Sequence, residues 1–495
     1  MNPVKEIRSK FENIPHLKII ESDELTQMIE SLFPIIREFL DGRTIRSHYS
    51  EETPKEINQA FDSSIPEHPQ SWETIIHSIR NDMIPRFPSV GNPYFLAYIP
   101  GDPAPPAMLG ALLTPIFNQF VGTVIGSPGG TAVESLAIKW IIQLLDLDDS
   151  SWGSFTIGGS DANLTCIYTG LVSVAPWNLK KVGLFNQKRL RIYTSDQSHN
   201  CILKTAMLLG LGEESVKIIQ SDDSFRMTAE AVRSVIKKDE EDKEVIPAVI
   251  VATAGTTNTG SIDDLEGLYE LAKEKKMWFH IDGAYGAFAR ITNTPISEEL
   301  AGIKLADSIA LDAHKWLFTP FEAGCAIVKD SEKLRNAFEL SAEYLKDSEL
   351  EDEYILQRNF RSYGFPLSRG LRGLKIWMLI SSYGKRGLSQ LITRNILAAD
   401  YLRHKIQNHP HLELMSDGKL AIVCFRWRGS DQLNENIVGV LQRKKRYYLS
   451  RTSLKGRATI RVCILNLRTT LRLIDGLIDE IESIVEDIRD PKSIK

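Results

Sequence analysis

The sequence has few cysteines and none in pairs: Cys166, Cys201, Cys325, Cys424 and Cys463 are scattered singly over 495 residues. That spacing offers neither a disulfide framework nor a paired metal knuckle, and it points to a reducing compartment, the cytoplasm by default, with no metal centre. Long hydrophobic runs are also missing. The most apolar stretch, 111–126 (ALLTPIFNQFVGTVIG), is interrupted by Pro115, Asn118 and Gln119 and falls short of the ~20 residues a membrane helix needs. It reads as buried protein or a dimer interface. The first residues, MNPVKEIRSKFENIPHLKII, interleave charge with apolar side chains and lack the unbroken core of a signal peptide. An excess of positive charge is absent too. A net charge of −5 and a pI near 6.1 give no electrostatic reason for a nucleic-acid or membrane partner. The RKKR run at 443–446 reads as a solvated helix end. There is no P-loop, and Gly210-Leu211-Gly212 lacks the third glycine of a dinucleotide fingerprint. Small neutral or zwitterionic substrates fit what is left.

What is present is a chain with 43% hydrophobic residues, long enough for two or three domains. Leu25, Ile29, Leu32, Ile36 and Leu40 recur at helical spacing within 24–40, which predicts an amphipathic helix. Pro54, Pro66, Pro69, Pro85 and Pro88 follow, so residues 1–103 read as helices and loops laid against something else, as a dimer arm would be. From Ser154 short β-branched runs alternate with amphipathic ones. SFTI, RLRIYT, VKII, PAVIVAT, MWFHI, SIAL and CAIVK are the strand candidates. Stretches such as 227–243 and 265–276 are long enough to be the crossovers of parallel strands. Residues 104–374 are therefore expected to form an α/β domain with a mostly parallel sheet covered by helices. A smaller α+β domain, 375–495, closes the chain, with helices near 388–406 and 471–488 and strands AIVCFRW and TIRVCIL.

Ligands of open α/β sheets collect at the carboxyl ends of the strands, and polar motifs fall there repeatedly. After SFTI comes Gly158-Gly159-Ser160-Asp161-Ala162-Asn163, whose accessible N–H groups at a helix start suit an anion such as phosphate. SDQSH, ending in His199, follows RLRIYT and offers an aromatic ring to a planar ligand; AGTTNTG, containing Thr257, follows PAVIVAT. Asp282 sits in the mainly apolar WFHIDGAYGA, where a lone carboxylate is costly and needs a cationic or donor partner. Lys315 stands between His314 and Trp316 in DAHKW, directly after SIAL, a setting for imine formation with an aldehyde. Alone, the glycine turn, the histidine and the lysine are more often structural, while AGTTNTG and Asp282 are as often structural as functional. Together, anion turn, stacking His, buried Asp and enclosed Lys match what pyridoxal phosphate requires at its phosphate, ring face, ring nitrogen and aldehyde.

The ordered set GGSDAN, SDQSH, AGTTNTG, HIDGAYG and DAHKW, from about Asn92 onward, resembles the group II pyridoxal-phosphate decarboxylases, the aromatic L-amino-acid decarboxylase family. The resemblance implies a fold-type I, aspartate-aminotransferase-like homodimer with its active site at the interface. It makes Lys315 the Schiff-base lysine, Asp282 the partner of the pyridine nitrogen and His199 the stacked ring. Gly159, Ser160 and Thr257 fall near the phosphate or ring substituents, His314 in the phosphate region and Ala284 on the other ring face. Asp312, where the animal enzymes carry Asn, joins the cofactor-binding set. The segment SAEYLK resembles the family's catalytic loop and makes Tyr344 the proton donor. A phenylalanine at that position accompanies aldehyde-forming relatives, so the tyrosine implies simple decarboxylation. The rival readings are an aldehyde synthase, an aminotransferase or another lyase of the same fold, and a non-catalytic α/β binding protein.

NPYFLAYIP at 92–100 resembles the family's side-chain pocket, with Tyr98, Ile99 and Pro100 as contacts; Phe120 resembles a position contributed across the dimer. Gly101 stands where the animal enzymes carry Thr, and Ser368, in FPLSR, falls at a position tied to substrate preference. An apolar, aromatic-lined cavity favours an aromatic side chain over an acidic one, for which a positioned Arg is expected. The wording of AGTTNTGSID and MWFHIDGAYGA looks most like bacterial tryptophan-type decarboxylases. Tryptophan or 5-hydroxytryptophan is favoured, with tyrosine, phenylalanine and DOPA open.

Overall fold

A computed structural model describes residues 3–13, 20–46, 52–340 and 358–489. The chain divides into two compact units, Met1–Asn92 and Pro93–Lys495. The first is helical, with its longest helix over Ser22–Asp41, as the apolar spacing predicts. The helix Pro54–Phe61 starts on a capping box: the Thr53 hydroxyl accepts the Glu56 N–H, and the Glu56 carboxylate accepts the Thr53 N–H at 2.7 Å. Among the described residues, no helix is long and apolar enough to cross a membrane.

The second unit holds two sheets. The larger has seven strands: β1 (Trp152–Thr156), β2 (Arg189–Ser195), β3 (Val216–Ile219), β4 (Val245–Thr253), β5 (Trp278–Asp282), β6 (Ser308–Asp312) and β7 (Gly324–Val328). Their order is β1-β7-β6-β5-β4-β2-β3. From β6 to β3 every pairing is parallel, while β7 runs antiparallel to both β6 and β1. All seven sequence-predicted strands are present, within a few residues of the predicted ends. The central ones are buried along their length, as Ala248–Ala252 in β4 are, because helices cover both faces of a parallel sheet and leave no wet side for alternation. The crossover helix Leu265–Lys275 starts on Asp264, whose carboxylate accepts the Gly267 N–H, and ends on Lys276 in the left-handed conformation.

The smaller sheet is antiparallel, ordered β10-β11-β9-β8 over β8 (Leu412–Leu414), β9 (Ile422–Trp427), β10 (Ser450–Leu454) and β11 (Arg457–Cys463). The long helix Leu374–Gln407, broken at Gly384, leads into it. The sequence pattern missed β8 and β10. Of the two readings of the run 111–126, burial within the chain holds for Val121 and Gly122 but not for most of its large apolar side chains. Leu112, Ile116, Phe117, Phe120 and Ile125 are exposed, because the helix Pro105–Phe117 is apolar around most of its circumference and the second unit covers only one side of it.

Candidate active site

Because β1 runs parallel to β6, the carboxyl ends of β1, β2, β4, β5 and β6 share one edge of the sheet, and the five polar motifs meet there. β1 ends at Thr156, whose hydroxyl donates to the Gly158 carbonyl at 3.0 Å, and the helix Gly159–Val174 begins at once. A Cβ on Gly159 would lie 2.8 Å from Asp312 Oδ2 and 3.1 Å from the Ala284 methyl. Only glycine lets the turn pass this close to β5 and β6.

Asp312 ends β6 and is buried. Its Oδ2 sits 3.2 Å from Lys315 Nζ and 3.5 Å from His314 Nε2; its Oδ1 and His314 Nδ1 are buried with no hydrogen-bond partner among the described residues. Burial pushes the Asp312 carboxyl up to about 6, although Lys315 opposes the shift. Burial, helped by Lys315 and Lys375, lowers the His314 imidazole to about 4, so it is neutral at pH 7. Its ring stacks on Phe321 at 4.5 Å.

Asp282 ends β5 and is buried; its Oδ1 accepts the Ala284 N–H at 3.2 Å. No cationic side chain lies within ion-pair distance of it among the described residues. Beneath it runs a chain of hydrogen bonds that the sequence did not disclose. Trp278 Nε1 donates to the Ser308 hydroxyl at 2.8 Å, and that hydroxyl lies 2.9 Å from His280 Nδ1. His280 Nε2 lies 2.7 Å from Asn163 Oδ1, and Asn163 Nδ2 donates to the Gly159 carbonyl at 2.9 Å. Burial lowers the His280 imidazole to about 4. The neutral ring carries a single N–H, and its Nδ1 also lies 3.1 Å from the Ser308 carbonyl, so the ring links β6 to the glycine turn. Asn163, four residues after Gly159 inside GGSDAN, was the available signal.

His199 is exposed, and its Nδ1 accepts the Cys201 N–H at 3.2 Å. Asn163 Nδ2, which donates to the Gly159 carbonyl, also reaches the Cys201 thiol at 3.5 Å, which places the His199 turn beside the glycine turn. Thr257 is exposed, with its carbonyl held by Arg461 Nη2 at 2.8 Å. Tyr98 is exposed, with Ile99 and Pro100 half-buried. Three residues beyond Tyr98, a Cβ on Gly101 would lie 2.4 Å from the carbonyl oxygens of both His314 and Lys315, so this segment packs directly on the lysine's backbone. Phe120 and Ser368 form a second, exposed group: Phe120 bridges to Gly370, and the Val121 N–H donates to the Arg369 carbonyl at 3.0 Å. Tyr344 lies outside the described residues.

The chain has relatives whose chemistry is known by name. The pyridoxal-dependent decarboxylase conserved domain matches residues 54–428. An aromatic-L-amino-acid decarboxylase of Bacillus atrophaeus is 31% identical over 462 residues, spanning 90% of this chain and 94% of its own. A tyrosine decarboxylase of Papaver somniferum is 31% identical over 79% of this chain and 77% of its own. The crystal structure of Catharanthus roseus tryptophan decarboxylase in complex with L-tryptophan superposes with a TM-score of 0.87 at 25% identity, covering 95% of this chain and 100% of that one. A match over most of the chain, joined to a lysine, two carboxylates and a glycine turn on one sheet edge, makes this protein a member of the pyridoxal-dependent decarboxylase family, a pyridoxal-phosphate-dependent amino-acid carboxy-lyase.

Proposed function

We propose that the protein decarboxylates an aromatic L-amino acid, tryptophan or 5-hydroxytryptophan foremost, to the amine and carbon dioxide. The observation that carries the aromatic reading is a ring cluster beside the lysine. Phe95 and Tyr98, on the segment that Gly101 seats against the Lys315 backbone, have ring centroids 5.1 to 6.4 Å from one another and from Tyr448. Arg461, the buried cation of this wall, spends its donors on three backbone carbonyls, which leaves it turned away from an acidic side chain. The tyrosine and tryptophan decarboxylases among the relatives support the same class.

The residues fit the cofactor. Asp282 is a buried carboxylate lacking a cation among the described residues, suited to a protonated ring nitrogen, and Gly159 keeps the turn's N–H groups open to a phosphate. Pyridoxal phosphate, when bound, supplies the electron sink for the Cα–carboxylate bond. Lys315 would hold the cofactor covalently; Gly159, Ser160 and Thr257 would lie near its phosphate or ring substituents, His314 in the phosphate region, Asp312 among its other contacts, and His199 and Ala284 on its two ring faces. Asp282 would keep the proton on the ring nitrogen. Tyr344 would deliver a proton to Cα after carbon dioxide departs. Ile99, Pro100, Phe120 and Ser368 would complete the side-chain pocket with Tyr98.

We also infer a homodimer. Leu112, Ile116, Phe120, Ile125 and Leu367 are exposed, more large apolar side chains than a monomer leaves in one region, and a second copy would cover them and carry Phe120 and Ser368 to the neighbouring site. By function the chain divides at 103 and 374 into an arm, the cofactor-binding part and a small C-terminal part. Five cysteines, all free and buried, suit the cytoplasm.

The test is a panel of aromatic, imidazole and acidic L-amino acids supplied with pyridoxal phosphate. Amine and carbon dioxide in equal amounts from aromatic substrates are expected. Turnover of acidic substrates alone, a keto acid, or ammonia with hydrogen peroxide overturns the proposal.

A further inference from the structure

We infer that Arg461 and Ser450, a cross-strand pair in the small sheet, are positioning residues that set the backbone of Tyr98 and so select the substrate side chain. The inference rests on the pocket assignment above and names what holds that pocket in shape.

Tyr98 has a backbone φ of 54°, in the left-handed region that a residue with a bulky side chain rarely adopts. Such a conformation persists where neighbours over-determine it, and here both peptide groups of the residue are gripped from one place. The Tyr98 N–H donates to the Ser450 hydroxyl at 3.0 Å, and the Tyr98 carbonyl accepts from Arg461 Nη1 at 3.0 Å. Ser450 and Arg461 face each other in the β10–β11 ladder, so the spacing of one antiparallel pair fixes both anchors.

The same guanidinium reaches the other side of the site. Its Nη2 donates to the Thr257 carbonyl at 2.8 Å and its Nε to the Asn258 carbonyl at 3.2 Å. The side chain is buried, only 5% exposed, and has no carboxylate partner among the described residues. Its planar fork thus ties the side-chain wall at Tyr98 to the loop that carries Thr257, and a lysine, whose donors sit on a single nitrogen, lacks the fixed spread that reaches all three carbonyls.

Two further contacts fix the segment. The Leu96 N–H donates to the Tyr448 carbonyl at 2.9 Å while its carbonyl accepts the Cys463 N–H at 2.8 Å, and the Asp102 carboxylate pairs with Arg468. Between them, the ring of Tyr98 is the exposed element, 63% accessible. Its direction follows from the backbone conformation that Ser450 and Arg461 impose, and with it the shape of the wall that meets the substrate.

The experiment compares the wild-type holoenzyme with Ser450→Ala, Arg461→Lys and Arg461→Met. It measures bound cofactor by absorbance, kcat and KM across the amino-acid panel, and hydrogen exchange at the Tyr98 amide. Expected are unchanged cofactor content in Ser450→Ala, faster Tyr98 exchange in all three, and a KM raised about threefold to tenfold per lost hydrogen bond. The ratio of kcat/KM between tryptophan and tyrosine shifts as well, and Arg461→Lys recovers part of what Arg461→Met loses. A role in folding alone would lower activity in proportion to folded protein and leave that ratio unchanged. Unaltered ratios with wild-type exchange at Tyr98, or activity lost only with folded protein, overturn the inference. The wild type's own preference across the panel judges the aromatic reading separately, since the change in ratio is read on whichever amino acids are accepted and the exchange needs no turnover.

Discussion

Lys315 Nζ lies 3.2 Å from Asp312 Oδ2, and the carboxylate that holds it is itself buried. The pair therefore joins the lysine to the glycine turn, since the same Asp312 oxygen packs where a Gly159 side chain would stand.

Asp312 predicts a pH dependence. Its folded carboxyl is raised from 3.8 to about 6, chiefly by burial, with Asp282 adding to the shift and Lys315 and the Gly159 N–H opposing it; the neighbouring His314 is neutral. The folded state keeps a proton that the unfolded chain releases, so the stability this group contributes is present below pH 4 and is lost as pH rises to 6. In the cofactor-free protein, Asp312→Asn removes that slope, gaining on the wild type by about 2 kcal/mol between pH 4 and pH 7. Urea unfolding at the two pH values measures it; parallel curves for both proteins count against the assignment.

Asp282→Asn and Lys315→Ala separate two roles. Asp282→Asn keeps the shape of the site but removes its charge; cofactor still binds and kcat falls on the order of 10²-fold or more. Lys315→Ala abolishes the visible band of lysine-held cofactor. A Lys315→Ala protein with the wild-type spectrum would show that another lysine carries it.

Gly101→Ala places a methyl 2.4 Å from the carbonyl oxygens of His314 and Lys315. The backbone that carries the lysine must move, at a cost of about 1–3 kcal/mol. Thermal unfolding and cofactor affinity should both weaken, and a substitution neutral in both measurements would mean the segment yields elsewhere.

Glu134 and Arg369 form an ion pair at 2.5 Å with side chains 0% and 1% exposed. Arg369 Nη2 and Arg372 Nη1 both donate to the Phe155 carbonyl, at 3.1 and 3.0 Å, near the end of β1. Glu134→Gln leaves a buried guanidinium without its counter-charge and should destabilise by about 3–5 kcal/mol. Calorimetry reads this directly, and a change below 1 kcal/mol, on the scale of exposed pairs, would contradict the burial.

The large sheet was legible because PAVIVAT and MWFHI are apolar on both faces, a pattern that parallel strands need. β10, SRTSL, was not: it is a polar edge strand in which exposed residues alternate with half-buried polar ones, and β8 is three residues long. Chemistry at strand ends was legible as Gly159, Asp282 and Lys315, because glycine, a carboxylate in apolar surroundings and an enclosed lysine are each unusual locally. Arg461 and the Asn163–His280–Ser308 chain were not. Their meaning lies in carbonyls and hydroxyls brought from 28 to 363 residues away, and a strand arginine or a lone histidine carries no local mark of its partner.

Among the described residues, the strand that delivers the glycine turn, β1, pairs with its sheet through β7 alone: Trp152 pairs with Val328 and Thr156 with Gly324. The ladder closes a loop of more than 160 residues, and such distant pairings form late. Domains begin to fold from the N-terminal side during synthesis, yet no growing chain shorter than Val328 can pin the turn, and none shorter than Arg461 can clamp Tyr98. A stalled ribosome would therefore display helices and a partial sheet with no place for the cofactor, which makes cofactor capture one of the last events in the making of this enzyme.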